Sequence, residues 1–455
     1  MNDRELEFLK AACAGQTETA AALQREHPDL VGANIFTACA AADVDSVARF
    51  IRDDPSSVGK TEGPEEWTPL VAACRSTIHM LSERHARDAR RVAAMLMDAG
   101  ASANSFSVHL EGNGRKAPIP VLHHACMSDH PALVALLLER GAKTQDGESI
   151  YHAAQYARIA CLDVLLKHGA NVSDAQQPYG NTPLYFLAGH HEDGGGSALW
   201  FRGFEWLLEH GADPNVPSGS SVETPLHTIA AGAPKPAAAR ALLAHGANPN
   251  IERKDGRTPY RLAVRHGNRA IASLLMAHGA HANGLLPMEE FLGACLAADE
   301  RAARALLASH PELSGSFTKE DKSAVLDAAR QDNGAAIRLM AALGFPLAWP
   351  ERTATPLHEA AWLGHVNAAA ALIELGAPLD GRDRDFGCSP ITWAAHGSGC
   401  NAGRDDAYCT IVDLLIDRGA KRGASFNKSG EPPEQMASPR VKARLEARGF
   451  TRAGE

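Results

Sequence analysis

The sequence predicts an all-α array of two-helix layers, and three recurring features predict it. A Gly-Ala pair follows an apolar helical stretch at Gly100-Ala101, Gly141-Ala142, Gly169-Ala170, Gly211-Ala212, Gly246-Ala247, Gly279-Ala280, Gly376-Ala377 and Gly419-Ala420. A leucine doublet precedes most of these pairs, as at Leu137-Leu138, Leu242-Leu243 and Leu414-Leu415. Farther upstream stands a start such as Thr68-Pro69-Leu70, Thr182-Pro183-Leu184, Thr224-Pro225-Leu226 or Thr355-Pro356-Leu357, with the variants Thr258-Pro259-Tyr260 and Ser389-Pro390-Ile391. Thr224 and Thr258 are 34 residues apart, as are Thr355 and Ser389, and Gly246 and Gly279 are 33 apart. A fixed period of that size is the signature of a repeat architecture.

Each recurring residue has a physical task. Threonine at an N-cap satisfies free amides of the first turn, and proline fits the first helical position because its missing N–H is not needed there. The Ala-Ala step that follows makes a thin first helix that neighbours approach closely. The leucine doublet gives the second helix a ridge that fills the space between layers. Glycine ends that helix by adopting the left-handed conformation, and Asn/Asp-rich stretches such as Ala247-Asn248-Pro249-Asn250 supply turn chemistry.

Composition agrees with a folded array. Of 455 residues, 45% are hydrophobic and 22% charged, too apolar and too weakly charged for a disordered chain. The balance of 45 basic and 54 acidic residues, net −9, is the wrong sign for a general nucleic-acid binder. No apolar run reaches the ~18 residues that span a bilayer. The opening Met1-Asn2-Asp3-Arg4-Glu5 lacks the basic-then-apolar order of a secretory signal. The nine cysteines are odd in number, none is spaced C-x-x-C, and several lie in Ala-rich helical contexts. They read as small buried thiols of a reducing compartment, and the expected location is cytoplasmic.

The pattern resembles the ankyrin repeat, with its 33-residue period and T-P-L-H-x-A motif. The closest copy is Thr355-Pro356-Leu357-His358-Glu359-Ala360-Ala361-Trp362-Leu363-Gly364-His365, and the likeness covers most of the chain. It implies an ankyrin-repeat solenoid of about 12 helix–turn–helix layers. It also implies short β-turn fingers and a concave face that binds other proteins. Leu375 to Gly387, with Trp393 to Ser398, is similar to the last repeats of bacterial ankyrin proteins, which implies a bacterial source and no activity.

Along the chain, residues 1–60 read as two degenerate layers, the first a cap with a more polar outer face. The third repeat carries insertions at Ile78 to Asp88 and, in its finger, at Ser105 to Pro118; the sixth carries His190-His191-Glu192-Asp193 followed by three glycines. The pattern then restarts: Phe291-Leu292-Gly293-Ala294-Cys295 through His310-Pro311-Glu312-Leu313 echoes Phe8-Leu9-Lys10-Ala11-Ala12-Cys13 through His27-Pro28-Asp29-Leu30. The expected division is an array over 1–282 with two capping layers and six repeats, a second of four layers over 283–430, and a capping helix with tail over 431–455. The last layer is interrupted at Ser398 to Asp406.

Few residues invite chemistry. His190 to Asp193 and the stretch Cys400 to Cys409, near Cys388 and His396, offer metal-ligand types without the spacing of a known module. The pair Asp405-Asp406 has no fixed separation for acid/base work. Gly112-Asn113-Gly114-Arg115-Lys116 is no phosphate loop, and no G-x-S-x-G elbow occurs. His123 falls on the motif's histidine, whose role in the family is to order the finger. The expectation is therefore a non-enzymatic protein with no catalytic residue, metal or cofactor. It would bind another protein rather than nucleic acid, a membrane or a small-molecule cofactor. The alternatives are a secreted effector or toxin-neutralising inhibitor and, more remotely, a metal-dependent enzyme using residues 190–197 or 398–409.

By the resemblance, the two residues after each Ala-Ala face the groove. They are Arg75 and Ser76, Met127 and Ser128, Gln155 and Tyr156, Arg265 and His266, and Trp362 and Leu363. Tyr156, Trp362 and Leu363 are the expected anchors, because large side chains at such positions dominate binding energy.

Overall fold

The computed structural model describes residues 1–62, 65–110, 116–175, 180–189, 197–232, 235–315, 317–348, 354–401, 403–422, 426–428 and 430–450. The chain forms two compact units, Met1–Leu187 with Leu199–Gly219, and Ala188–Ala198 with Ser220–Glu455.

In the first unit the helices come in pairs. They are α1 (Asp3–Cys13) and α2 (Thr17–Glu26), α3 (Ile35–Ala40) and α4 (Val44–Asp53), α5 (Pro69–Arg75) and α6 (Glu83–Asp98), α7 (Val121–Met127) and α8 (Pro131–Glu139), α9 (Ser149–Gln155) and α10 (Ile159–Lys167), then α11 (Pro183–Gly189) and α12 (Ser197–Glu209). First helices stack on first helices, α1 on α3, α5, α7 and α9 in turn, while α4, α6, α8 and α10 stack behind them. The second unit repeats the plan. Its pairs are α13 (Pro225–Ala231) and α14 (Pro236–Ala244), α15 (Pro259–Arg265) and α16 (Arg269–Ala277), and α17 (Pro287–Leu296) and α18 (Glu300–Ser309). Then come α19 (Lys319–Lys322) and α20 (Ala324–Arg330) with α21 (Gly334–Ala342), α22 (Pro356–Trp362) with α23 (Val366–Glu374), α24 (Pro390–Cys400) with α25 (Asp405–Asp417), and α26 (Pro433–Met436) with α27 (Pro439–Ala447). The all-α layered fold is as the sequence predicts. α15 packs directly on α17, so stacking continues through the place where the sequence pattern restarts.

The caps act as their residue types require. Thr68 Oγ1 accepts from the Val71 amide at 3.2 Å and Thr258 Oγ1 from the Arg261 amide at 3.3 Å. The small residues set the spacing of layers. A Cβ on Gly397 of α24 would lie 2.3 Å from the Trp362 carbonyl oxygen, and one on Gly399 would lie 2.4 Å from that of Met436. These two glycines let α22 and α26 close on α24 from both sides. In the second unit one hydrophobic cluster includes Phe291, Leu357, Ile391, Tyr408 and Leu445. Seven of the nine thiols are buried, with Cys400 exposed and Cys409 half-buried; burial pushes the Cys295 thiol up to about 12.

Insertions are absorbed into regular structure. Ile78–Leu81 is a 3-10 turn leading into the 16-residue α6. The long finger of the third repeat is an antiparallel hairpin, β1 (Phe106–Leu110) with β2 (Lys116–Pro120), paired from Phe106↔Pro120 to Leu110↔Lys116. Residues 398–400 extend α24 and residues 405–406 open α25. The echoed segments both form 3-10 turns, Pro28–Leu30 and Pro311–Gly315. The suggested metal loop at His190 to Asp193 and the glycine-rich stretch at 112–115 lie outside the described residues. Among the described residues, no helix is long and apolar enough to cross a membrane.

Candidate functional site

The second unit carries a groove of ≈ 830 Å³. Its walls follow a simple rule. Residues after the Ala-Ala step of three consecutive first helices line it: Arg330 and Gln331 after α20's Ala328-Ala329, Trp362 and Leu363 after α22's Ala360-Ala361, and His396 after α24's Ala394-Ala395. Trp362 meets Trp393 edge-on at 5.9 Å and His396 at 5.1 Å. Phe386, 61% exposed, reaches Trp393 from the finger at 6.5 Å. An aromatic floor thus lies beside charged walls, where Arg330 pairs with Glu359 at 2.9 Å.

Trp362 and Trp393 are held from behind. Tyr408, fully buried, donates its hydroxyl proton to the Trp362 carbonyl at 2.7 Å and accepts from Asn401 Nδ2 at 3.0 Å. Trp393 Nε1 donates to Asp383 at 3.0 Å, and the same carboxylate accepts from the Phe386 amide at 2.6 Å and the Cys388 amide at 2.7 Å. Burial alone would raise the Asp383 pKa, but these donors outweigh it and hold the carboxyl below its usual value. Burial lowers the pKa of His396, favouring the neutral ring.

The other sequence-derived positions distribute differently. Arg265 is a correction: expected on the groove, it is 3% exposed and bound to Asp321 at 2.6 Å, with Glu320 at 3.6 Å. The reason is α19, an extra acidic helical turn before α20 that places Glu320 and Asp321 against it. His266 pairs with Asp327, a groove-lining residue, at 2.8 Å. Ser76 and Ser128 are buried too, each donating its hydroxyl to the preceding layer, to the Ala40 carbonyl at 2.6 Å and the Cys74 carbonyl at 2.9 Å. Arg75 is half-buried under Trp67, with Glu65 at 2.9 Å. Met127 and Gln155 are half-buried, and Tyr156 is 46% exposed. These four belong to the first unit, and of the expected positions Trp362 and Leu363 line the groove, with His266 bonded to Asp327 of its wall. Sequence reasoning missed Trp393, His396, Phe386 and Arg330, although the Ala-Ala rule selects His396 and Arg330.

Ligating side chains are sparse. Among the described residues, His123, Glu148 and His152 are the one set of three that converges; Cys400 to Cys409 contributes none. Burial, with His152 and Arg75 nearby, pushes His123 down to about 3.

Residues 122–216 and 197–284 match the family model for ankyrin repeats (3 copies), and residues 354–384 match that for the ankyrin repeat. This is an ankyrin-repeat protein. Human Ankyrin repeat and SOCS box protein 16 is 34% identical over 176 residues, 35% of this chain and 36% of that protein. Human Neurogenic locus notch homolog protein 4 is 39% identical over 108 residues, 23% of this chain and 5% of its own length. Mouse Rabankyrin-5 is 36% identical over 81 residues, 16% of this chain and 7% of its own. The chain therefore spans between 5% and 36% of the length of these relatives. Among solved structures, the human ASB11 ankyrin repeat domain is 25% identical, covering 50% of this chain and 98% of that one, with TM-score 0.31. The ankyrin repeat domain of Bcl-3 is 19% identical, covering 53% and 97%, with TM-score 0.40. Ankyrin repeats indicate a protein–protein interaction scaffold.

Proposed function

We propose that this ankyrin-repeat protein is a non-enzymatic scaffold that docks another protein on the concave face of its second unit, with Trp362, Trp393 and Phe386 as anchors. One observation carries the reading: three successive layers aim Arg330, Trp362 and His396 into one groove, where the exposed Phe386 joins the two tryptophans. Large aromatics and arginine in a water-excluding pocket are the residues that dominate binding energy. The stacked helices hold them in place beforehand, which reduces the entropy lost on association. Arg330 and Glu359 on the wall supply orientation and selectivity more than affinity. The net charge of −9 argues against nucleic acid as the ligand. No small-molecule cofactor or membrane enters the reading, and the buried free thiols support a cytoplasmic setting.

The test begins with a partner captured on the immobilised chain, identified by mass spectrometry and titrated calorimetrically. Phe386→Ala is the cleaner substitution, because Phe386 is exposed, and Trp362→Ala is the second. Each weakens binding about tenfold or more while circular dichroism stays unchanged. Full affinity in both variants rejects the groove. Loss of binding in Tyr156→Ala alone moves the site to the first unit.

A further inference from the structure

Away from that groove, the first unit brings His123 of α7 to Glu148 and His152 at the start of α9. One ring nitrogen from each histidine and a carboxylate oxygen lie within 4.8 Å of one another. His152 Nδ1 faces both the Glu148 carboxylate and the Glu148 carbonyl, the latter at 3.2 Å, whereas His123 Nδ1 is uncommitted, and the sequence explains why. In a layer that begins Thr-Pro-Leu-His, the histidine is saturated. The Thr355 amide donates to His358 Nδ1 at 3.2 Å, which leaves the proton on Nε2, and Nε2 donates to the Cys388 carbonyl at 3.0 Å. His227 is engaged in the same way by the Thr224 amide and the Arg257 carbonyl. His123 holds the same motif position in Pro120-Val121-Leu122-His123, but Pro120 has neither an N–H nor a hydroxyl to offer. His123 Nδ1 is accordingly buried without a hydrogen-bond partner. One layer on, Glu148 takes the threonine's N-cap place, and its side chain caps no amide.

We propose that His123, Glu148 and His152 bind one zinc-class divalent cation that joins α7 to α9. Two imidazoles and a carboxylate form the donor set of three-ligand zinc sites, which keep a fourth position for water. With no thiolate in the set, soft monovalent metals are disfavoured; with two nitrogens, magnesium and calcium are too. His152 Nδ1 and Glu148 Oε2 stand 3.3 Å apart. Two ligands of a tetrahedron with bonds of about 2.0–2.1 Å are separated by about 3.3–3.4 Å. His123 completes the site by rotating a ring whose Nδ1 has no partner to lose. The side chains of His152 and Glu148 are 30% and 13% exposed, so the cation and its water reach the site from solvent. His124 is excluded from the set because its Nε2 is tied to Ser107 Oγ at 2.8 Å. Arg75, a cationic neighbour of His123, is offset by Glu65 at 2.9 Å. On binding, the proton on His152 Nδ1 passes to solvent, the contact of that nitrogen with the Glu148 carbonyl at 3.2 Å is given up, and no covalent bond of the chain changes. This site is independent of the docking groove.

The experiment titrates the full-length chain, stripped of metal, with Co²⁺ and then displaces it with Zn²⁺. One Co²⁺ per chain is expected, with the visible absorption of a tetrahedral site. Glu148→Gln and His152→Ala each weaken binding at least about tenfold while circular dichroism of the metal-free chain is unchanged. Absence of stoichiometric binding, or affinity unmoved by both substitutions, overturns the site. X-ray absorption on the zinc-loaded wild type decides the matter should a variant misfold. Two imidazoles with oxygen ligands support the site, and a shell with sulfur or without imidazole refutes it.

Discussion

Replacing Glu289 with alanine destabilises the α15–α17 junction by about 3–5 kcal/mol. Glu289 lies in the first turn of α17 with a side chain 0% exposed. It accepts from Arg261 Nε at 2.9 Å and Nη2 at 2.9 Å, from Arg257 Nε at 3.1 Å and from the Leu286 amide at 3.1 Å. Charge-assisted bonds contribute about 1.5–3 kcal/mol each, but the four do not add. Arg257 keeps Asp255 at 2.8 Å and Glu320 at 3.2 Å after the carboxylate is gone. Arg261, 14% exposed, is left with the Gly256 carbonyl at 3.0 Å. The loss is therefore that of one nearly buried guanidinium stripped of its counter-charge. Glu289→Met with Arg261→Met recovers most of it, because the desolvation cost leaves together with the pair. Repeat arrays open locally, so the assay is native-state hydrogen exchange of α15 and α17 followed by mass spectrometry. A cost under about 1 kcal/mol refutes the view that this carboxylate holds the junction. A double variant no more stable than Glu289→Ala refutes the desolvation argument.

Two further outcomes follow from groups behind the groove. Tyr408→Phe costs about 1–2 kcal/mol, because it removes the hydroxyl that serves the Trp362 carbonyl and Asn401 Nδ2. Urea unfolding measures this, and an unchanged midpoint rejects the assigned role. Asp383 has its folded pKa lowered, so its contribution is complete above the ordinary carboxylate value of about 3.9 and drains as pH falls through the lower folded value. Asp383→Asn flattens the acid limb of the second unit's stability below about pH 3.9. Coincident profiles for the two proteins, followed by tryptophan emission, contradict that assignment.

The layers were legible because their signals are local. A threonine N-cap, a proline at the first helical position and a glycine stop act within a few residues, so Thr68, Thr258 and Gly246 reveal helix ends without knowledge of the partner layers. Groove positions were legible only as a rule. Trp362 and Leu363 follow a full motif, so the rule selects them, and both line the groove. Arg330 follows Ala328-Ala329 in a layer without a Thr-Pro start, and Trp393 sits one position after the motif's histidine place, so neither stood out. The burial of Arg265 was out of reach, because it depends on Asp321, 56 residues away on α19. The His123 site was invisible for a related reason: what matters there is that Pro120 lacks the donor present in other layers, and Glu148 arrives from the next repeat.

Repetition itself explains which side chains stay available in this chain. Stacking fixes each motif position against its neighbours, so a residue that departs from the motif is held in place without being consumed by the fold. Thr224 and Thr355 consume the lone pair of the histidine three residues on; Pro120 leaves that of His123 available. The positions after Ala-Ala follow the same logic. Ser76 and Ser128 donate their hydroxyl protons to the preceding layer, Arg265 is covered by the inserted α19, and Trp362 and His396 remain facing the groove. Chemistry is available at positions that the next layer leaves unclaimed. A search for partners or metals is best directed to departures from the motif, because substitutions there change recognition at less cost to the stack than substitutions at the caps.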